Sequence, residues 1–344
     1  MQFGLMTLGD HLSNPHTGKL ESDQATRHRS FVEQGVLAEQ AGFDMINLGE
    51  HHFCDYILSA PPVVLAAIAE RTTTLRLSTG VTLAANLDPV RMAEDYATVD
   101  VLSGGRVEVI LGRGALSDTY DIFGQNFERS REIYSESVRV LHRVWSEEDV
   151  HFETAFRPDL KGLTVQPRPF QRPHPPIWIG AGGSEHSFDL AAELGVHLMV
   201  PSVFGSVTNF LPMVARYEEG FAKAGHDQKN MRIGSCVHAF VTKDSQDARE
   251  KWFPYYDNYL RWVGQLLATQ KAPPPIDFKA DHFIDGPAMC GSPAQVIDML
   301  GEHLGHLDVD LHLAMFDPGG LPEADLRNSI ELYGQEVIPV FAKS

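Results

Sequence analysis

A carboxylate and two imidazoles occur in a row in the stretch MINLGEHHFCDY, residues 45–56. The apolar residues at its start predict a buried strand, so that Glu50, His51 and His52 follow at the strand end. Imidazole titrates near neutral pH and suits proton transfer. Because adjacent side chains of an extended chain point to opposite sides, we expect only one histidine to face a pocket. On this stretch alone, a hydrogen-bonded structural role is an equal alternative.

A metal centre would require both histidines to converge with a third ligand. The sequence has no HExxH motif, and its three cysteines (Cys54, Cys236 and Cys290) are too widely spaced to form a compact Cys/His cluster. We therefore predict no metal site, which makes a metal-dependent barrel hydrolase the least favoured class of enzyme.

The glycine-rich stretch GAGGSEHS, residues 180–187, lies between a predicted strand and a predicted helix. Such a junction offers free N–H groups and the positive end of a helix to an anion, and we expect Ser184 to cap that helix. Glu185 stands where a dinucleotide fingerprint has its third glycine, and no Walker lysine follows. The stretch is thus either a phosphate site, with Arg113 and Arg131 as countercharges, or an ordinary tight turn.

Together, a strand-end histidine, arginines and a possible phosphate turn without an adenine-nucleotide motif predict a cofactor that carries a single phosphate. Strands and helices of the fold must bring these candidate site residues together. Eight short apolar runs, which alternate with helical segments, predict buried strands that begin at Phe3, Met45, Leu75, Arg106, Pro176, His197, Ile233 and Asp310.

The alternation of strands and helices predicts an α/β fold, a single (β/α)8 TIM-type barrel over residues 1–344, with a doubly wound open sheet as the competing fold. In a barrel the C-terminal strand ends share one face, and that face would collect the motifs above. Two segments, 150–175 and 264–291, do not fit the repeat. The second contains KAPPPIDF, whose prolines argue against packed structure, and we expect it to be an active-site lid.

Composition limits the classes of partner. The 344 residues include 28 Lys and Arg against 46 Asp and Glu, a formal net charge of −18 that repels nucleic acid and acidic membranes. The start of the chain lacks the features of an export signal, and few, scattered cysteines are typical of a reducing compartment. We expect a cytoplasmic protein that binds a small molecule and neither nucleic acid nor a membrane.

Four stretches, in this order, resemble the bacterial luciferase family of flavin-dependent monooxygenases. They are EHHF at 50–53, DPVRMAEDYATVDVLSGGRVEVILGRG at 88–114, PPIWIGAGGSEHSFDLAAELG at 175–195 and CGSPAQVIDML at 290–300. The resemblance spans nearly the whole chain. It implies a luciferase-like TIM-type barrel that binds FMN at the C-terminal ends of its strands.

On the matching positions, the resemblance implies that His51 is the catalytic acid/base. It also implies that the cofactor is bound by Gly80, Val81, Arg113, Ala115, Arg131, Gly183, Ser184 and Ser187. The first two match a non-prolyl cis peptide under the isoalloxazine ring, and the last three form the phosphate turn. His52, Phe53 and Tyr56 are candidate residues of the substrate pocket. Gly112 and Gly183 replace a cysteine and an acidic residue of luciferase, which argues against light emission and aldehyde specificity.

The resemblance further implies a two-component monooxygenase. Reduced FMN, supplied by a separate flavin reductase because no nicotinamide fold is predicted, would react with oxygen to give a peroxyflavin that oxidises a small organic substrate. Two alternatives remain: a deazaflavin-dependent oxidoreductase of the same fold, and a catalytically silent flavin-binding partner subunit. Barrels of this family usually dimerise through the helices that follow the early strands, so we expect a homodimer.

Overall fold

A mostly parallel sheet, nearly closed into a barrel and surrounded by helices, organises the chain in a computed structural model that describes residues 1–274 and 276–341. The strands are β1 Gln2–Thr7, β2 Met45–Leu48, β3 Arg76–Thr79, β4 Thr82–Leu83, β5 Val109–Gly112, β6 Val150–Phe152, β7 Leu160–Leu163, β8 Ile177–Gly180, β9 His197–Pro201, β10 Ile233–Val241, β11 Met289–Gly291 and β12 Leu311–Met315.

The α-helices follow the strands along the chain. They are α1 Gln24–Gln40, α2 Pro61–Ala69, α3 Pro89–Ser103, α4 Ser117–Ile122, α5 Ser130–Ser146, α6 Glu185–Leu194, α7 Leu211–Lys223, α8 Ser245–Ala268, α9 Ala280–Ile284, α10 Pro293–His306, α11 Glu323–Leu332 and α12 Ile338–Phe341. A π-helical turn, Tyr333–Val337, joins the last two.

The order around the sheet is β3-β2-β1-β12-β10-β9-β8-β5-β4, and all of these pairings are parallel. An isolated parallel bridge between Leu77 and Val107 joins β3 to the residues before β5. Its hydrogen bonds run from Leu77 N to Arg106 O (2.9 Å) and from Glu108 N to Leu77 O (3.0 Å). The predicted barrel is therefore confirmed, and the competing open sheet is wrong.

Each of the eight predicted runs contains a barrel strand, and the third is divided into β3 and β4 at Gly80–Val81. The helices pack on the outside of the sheet through their apolar faces. On α5, the side chains of Tyr134, Val138, Leu141 and Trp145 are buried, and the Trp145 indole donates to Ala93 O on α3 (3.0 Å).

The two segments that interrupt the repeat both contain regular structure. In 150–175, β6 and β7 form an antiparallel hairpin. In 264–291, the expectation that the chain lacks packed structure is wrong for most of the segment: α8 continues to Ala268, α9 buries Phe283 and Ile284, and β11 pairs with β10. The apolar side chains of α9 outweigh the effect of the neighbouring prolines, because they pack against the core. Pro275, within this segment, lies outside the described residues.

No helix in the described part of the chain is long and apolar enough to cross a bilayer.

A chain of buried polar groups links α10 to two barrel strands. The Ser235 hydroxyl lies 2.9 Å from His303 Nε2 and 3.2 Å from His312 Nδ1. Burial lowers the pKa of His312 to about 3 and that of His303 to about 4, with a smaller effect of neighbouring histidines. The folded protein therefore holds both rings neutral.

We predict that the protein loses stability on acidification. Below a pH of about 6.5 these histidines bind protons in the unfolded chain but not in the folded protein. The free energy of unfolding therefore falls by up to ~1.4 kcal/mol per pH unit for each histidine, until the pH approaches the pKa of that histidine in the folded protein. Urea unfolding at pH 7 and pH 5 measures this slope. His312→Asn is expected to reduce it, while the same substitution at the exposed His151 is the control; equal slopes would contradict the assignment.

Candidate active site

The side chain of Val81 lies where the C-terminal ends of three barrel strands meet. The Gly80–Val81 peptide is cis, as the resemblance implies. Glu50 N, just past β2, donates to Val81 O (2.9 Å). A Cβ atom at Gly112, the end of β5, would overlap Val81 Cγ2, and one at Gly180, the end of β8, would lie 2.9 Å from Val81 Cγ1. Glycine is thus required at both positions for this close approach.

These three strand ends lead directly into the predicted site residues. His51 follows Glu50, Arg113 follows Gly112, and the turn 181–184 follows Gly180. The barrel therefore brings the strand-end motifs together at one end, which we call the mouth. This is expected, because the C-terminal ends of parallel barrel strands share one face.

His51 lies against Tyr56, with 4.1 Å between the ring centroids. Its backbone N donates to Leu58 O (3.0 Å), which fixes the chain direction, while its buried Nδ1 has no hydrogen-bond partner among residues 1–274 and 276–341. Burial, with a smaller contribution from His52, lowers the pKa of His51 to about 4. At neutral pH the ring is therefore uncharged and able to accept a proton.

His52 has a different partner from His51. Its Nε2 lies 2.7 Å from Oε1 of Glu50, a carboxylate that is only 2% exposed. Glu50 Oε2 accepts from Leu83 N (3.0 Å). The carboxylate therefore connects His52 to Leu83, the last residue of β4, a structural role that was not predicted from the sequence.

Two predicted pocket residues occupy contrasting positions. Tyr56 is buried, donates its hydroxyl to Tyr259 Oη (2.9 Å) and lies 4.6 Å from the Trp262 ring on α8. Phe53, with a φ of +59°, is 59% exposed and lies beside the rings of His52 and Phe123 (5.7 and 5.3 Å between ring centroids). Sequence reasoning missed Tyr259 and Trp262 because they are about 200 residues away along the chain.

The two predicted phosphate-binding arginines lack carboxylate partners within the described chain. Arg113 Nη1 donates to Ser130 Oγ (2.9 Å), and Arg113 O accepts from the Tyr120 hydroxyl. Arg131 follows Ser130, is exposed, and lines a groove of about 560 Å³ on the outer face of α5. Ala115 is exposed on the loop before α4. Neither guanidinium group therefore forms an ion pair within the described chain, although Glu132 and Glu136 line the same groove as Arg131.

The predicted phosphate turn is open at Gly183. This residue has a φ of +99°, which L side chains rarely adopt, and no atom lies within 4 Å of an ideal Cβ. Ser184 is at the N-cap position of α6, but its side chain makes no capping hydrogen bond, so the predicted cap is wrong. Its carbonyl oxygen accepts a hydrogen bond from Ser187 N (3.0 Å). The first N–H groups of α6 therefore lack that hydroxyl acceptor, which suits an anion.

A contact between α5 and α6 holds this turn beside Arg131. Ser135, one helical turn after Arg131, lies with its Oγ 2.5 Å from Nε2 of His186, the residue before Ser187. The chain therefore fits a phosphomonoester: two arginines without carboxylate partners, an uncapped helix start and an open glycine turn lie at neighbouring positions.

A buried ionic cluster, which was not predicted from the sequence, lies on the side of the mouth opposite the phosphate turn. Arg27 Nη2 lies 2.6 Å from Asp317 Oδ2 and 3.3 Å from Asp10 Oδ1. Burial, followed by the charge of Asp317, raises the pKa of Asp10 to about 7. Gly9 O, next to this cluster, accepts from Ile57 N (2.9 Å) and so holds the loop after β2. Both aspartates follow strand ends, a signal that could have identified them.

No group of three or more His, Cys, Asp or Glu side chains in the described ranges could hold a metal ion.

Comparison with known proteins agrees with this geometry. A family model described as luciferase-like monooxygenase matches residues 1–306. The chain is 24% identical, over 100% of its length and 96% of the relative, to the oxygenase component of a flavin-dependent trigonelline monooxygenase from Acinetobacter baylyi. It is 27% identical, over 91% of its length and 93% of the relative, to an F420-dependent glucose-6-phosphate dehydrogenase from Microbacterium testaceum.

Among solved structures, the monooxygenase RslO1 from Streptomyces bottropensis superimposes with a TM-score of 0.86. The match has 26% identity and covers 99% of this chain and 100% of that one.

We predict that the imidazole of His51 titrates near pH 4 in the protein without ligand, because burial disfavours its charged form. Imidazole ¹⁵N chemical shifts measured from pH 7 downward report this value, and His51→Asn identifies the signal by its loss. A midpoint near the ordinary value of about 6.5 would show that the ring is solvated.

Proposed function

This chain belongs to the luciferase-like monooxygenase family, and we propose that it is the oxygenase component of a two-component, FMN-dependent monooxygenase. A separate flavin reductase would supply reduced FMN, and the protein would use oxygen to oxidise a small organic substrate. The relative from Acinetobacter baylyi is named as the oxygenase component of a flavin-dependent monooxygenase.

The observation that carries this proposal is the contact of Val81 with the strand ends that precede His51, Arg113 and the turn at Gly183. One mouth then offers a proton acceptor, unneutralised arginines and a phosphate turn. In this proposal Gly80, Val81 and Ala115 lie against the flavin ring, while Arg113, Arg131, Gly183, Ser184 and Ser187 bind its phosphate.

When bound, reduced FMN would supply the electrons that activate oxygen. His51 would act as the acid/base beside it. Because its ring is neutral at physiological pH and Nδ1 has no hydrogen-bond partner among the described residues, it can take up a proton at that atom. An anionic group bound next to the ring would raise the pKa of His51 towards the range in which it can also return the proton.

Water must be excluded from such a reaction, because in a wet site the reduced flavin and oxygen would yield hydrogen peroxide without oxidising the substrate. Tyr56, with Tyr259 and Trp262 on α8, forms an aromatic wall next to His51. We propose that α8 and the segment that follows it cover this side of the mouth, while His52, Phe53 and Tyr56 border the substrate.

A deazaflavin-dependent oxidoreductase is the second candidate, favoured by the groove beside Arg131. Its volume of about 560 Å³ and the open turn at Gly183 leave room for a cofactor that continues beyond its phosphate, which FMN does not. One of the relatives is named as F420-dependent. Calorimetry with FMN and with a deazaflavin separates the two candidates.

We also propose a homodimer formed through α2 and α3. The two helices line a shared groove that includes the exposed Val63, and α3 also exposes Val101 and Leu102; exposed apolar side chains of this kind suit an interface. The cytoplasm is the proposed compartment, since all three cysteines are free.

We predict that His51→Asn lowers substrate oxidation by about 10²-fold or more, the usual contribution of a general acid/base. Stopped-flow mixing of protein and reduced FMN with oxygenated buffer, with hydrogen peroxide and product measured together, is the test. Trigonelline is a first substrate to try. FMN affinity is expected to change little, because His51 is not among the residues proposed to bind the flavin and Asn keeps a polar group near the position of Nδ1; unchanged product formation would remove His51 from this role.

We predict that Arg131→Ala weakens FMN binding by roughly tenfold or more, the effect of losing one charge-assisted hydrogen bond to the phosphate. Riboflavin, which lacks the phosphate, should bind both proteins equally in calorimetry. Arg129→Ala is the matched control, since Arg129 is paired with Glu132 (2.8 Å). Equal losses for FMN and riboflavin would show that Arg131 does not bind the phosphate.

A further inference from the structure

The residues just after α8 are joined to the start of α4 by a set of hydrogen bonds, of which the bond between Gln270 and Ser117 is buried. Gln270 Oε1 accepts from Ser117 Oγ (3.0 Å) and from Asp118 N (3.4 Å). Ser117 Oγ in turn accepts from Lys271 N (3.2 Å). We call these bonds among Ser117, Asp118, Gln270 and Lys271 the clasp. It joins residues 153 positions apart, so it is a tertiary contact and not a local turn.

The clasp is well defined because the side chains of Gln270 and Ser117, at its centre, are buried and hydrogen-bonded. Gln270 is only 6% exposed and Ser117 is buried. The side-chain nitrogen of Gln270, Nε2, donates to Leu266 O (3.1 Å) and Thr269 Oγ1 (3.0 Å), and these bonds fix the orientation of the amide. Loss of either partner would leave a buried group unpaired, which costs more than the loss of an exposed bond.

Helix α4 connects the clasp to a proposed phosphate-binding residue. The Tyr120 hydroxyl donates to Arg113 O, and Arg113 Nη1 donates to Ser130 Oγ (2.9 Å). The loop that carries Arg113 therefore rests on the same short helix that Gln270 holds.

Helix α8 connects the clasp to the other half of the site. Tyr259 Oη accepts from Tyr56 (2.9 Å), and Tyr56 lies 4.1 Å from the His51 ring. Displacement of the end of α8 would therefore disturb both the aromatic wall beside His51 and the support of Arg113.

We propose that Gln270 is a positioning residue that couples cofactor binding at Arg113 to closure of the mouth by α8. The identity of the ligand as FMN rests on the function proposed above, but the clasp itself does not. Coupling is reciprocal: if the closed arrangement binds the cofactor more tightly, the cofactor must stabilise the closed arrangement by the same factor.

The test uses the full chain and the variants Gln270→Ala, Ser117→Ala and the double variant. Calorimetry is expected to give about three- to tenfold weaker FMN binding for each single variant, within the range of one buried hydrogen bond. The double variant should lose less affinity than the sum of the two single losses, because both single variants remove the bond between Ser117 and Gln270. In flavin-free protein, amide hydrogen exchange of residues 113–122 should be faster in each variant than in the wild type.

Two controls separate this proposal from general destabilisation. Lys271→Ala removes the exposed pair with Asp121 (3.0 Å) at the same junction, which contributes little, and keeps the backbone N–H of the clasp. Ser117→Thr keeps the hydroxyl and should retain FMN binding close to that of the wild type, even if an alanine variant folds poorly.

Additive losses in the double variant, or unchanged exchange of residues 113–122 in Gln270→Ala, would overturn the proposal. If the wild-type chain itself binds no FMN, the proposed function fails, while the exchange measurement still decides whether Gln270 positions the Arg113 loop.

Discussion

The parallel hydrogen bonding that closes the sheet on itself is the constraint on which the candidate site depends. β1 pairs with both β2 and β12, and the bridge between Leu77 and Val107 closes the remaining seam between β3 and β5. Because the barrel strands all run in one direction, their C-terminal ends share one face. His51 and Gly183, far apart in sequence, belong to the same mouth only for this reason.

The fold could be predicted from the sequence because its signals are local. Buried parallel strands are short apolar runs, and the Asp88 cap of α3 is visible as an aspartate before a proline. Contacts between distant elements could not be predicted. The missing Ser184 cap, the Glu50–His52 pair and the packing of Tyr259 on Tyr56 depend on which side chains the closed barrel brings together. Composition alone also underestimated the packing of α9, whose phenylalanine reaches the core.

The local charge at the mouth differs in sign from the net charge of the whole molecule. A chain with a formal net charge of −18 repels a phosphate at a distance, yet Arg113 and Arg131 have no carboxylate partner among the described residues. On the opposite side, burial keeps His51 uncharged and makes Asp10 harder to ionise. The site thus combines a local positive region for an anion with groups whose charge a bound ligand can change.

The fit of Val81 against Gly112 and Gly180 has a consequence for how related barrels can diverge. The space that a side chain at position 112 would need is already filled by the isopropyl group of Val81. A larger residue at position 112 therefore requires a smaller one at position 81, so the side-chain volumes at the two positions must change in opposite directions. Evolution of the ring-binding surface in this lineage is expected to proceed through such paired replacements, since either change alone leaves a clash or a void.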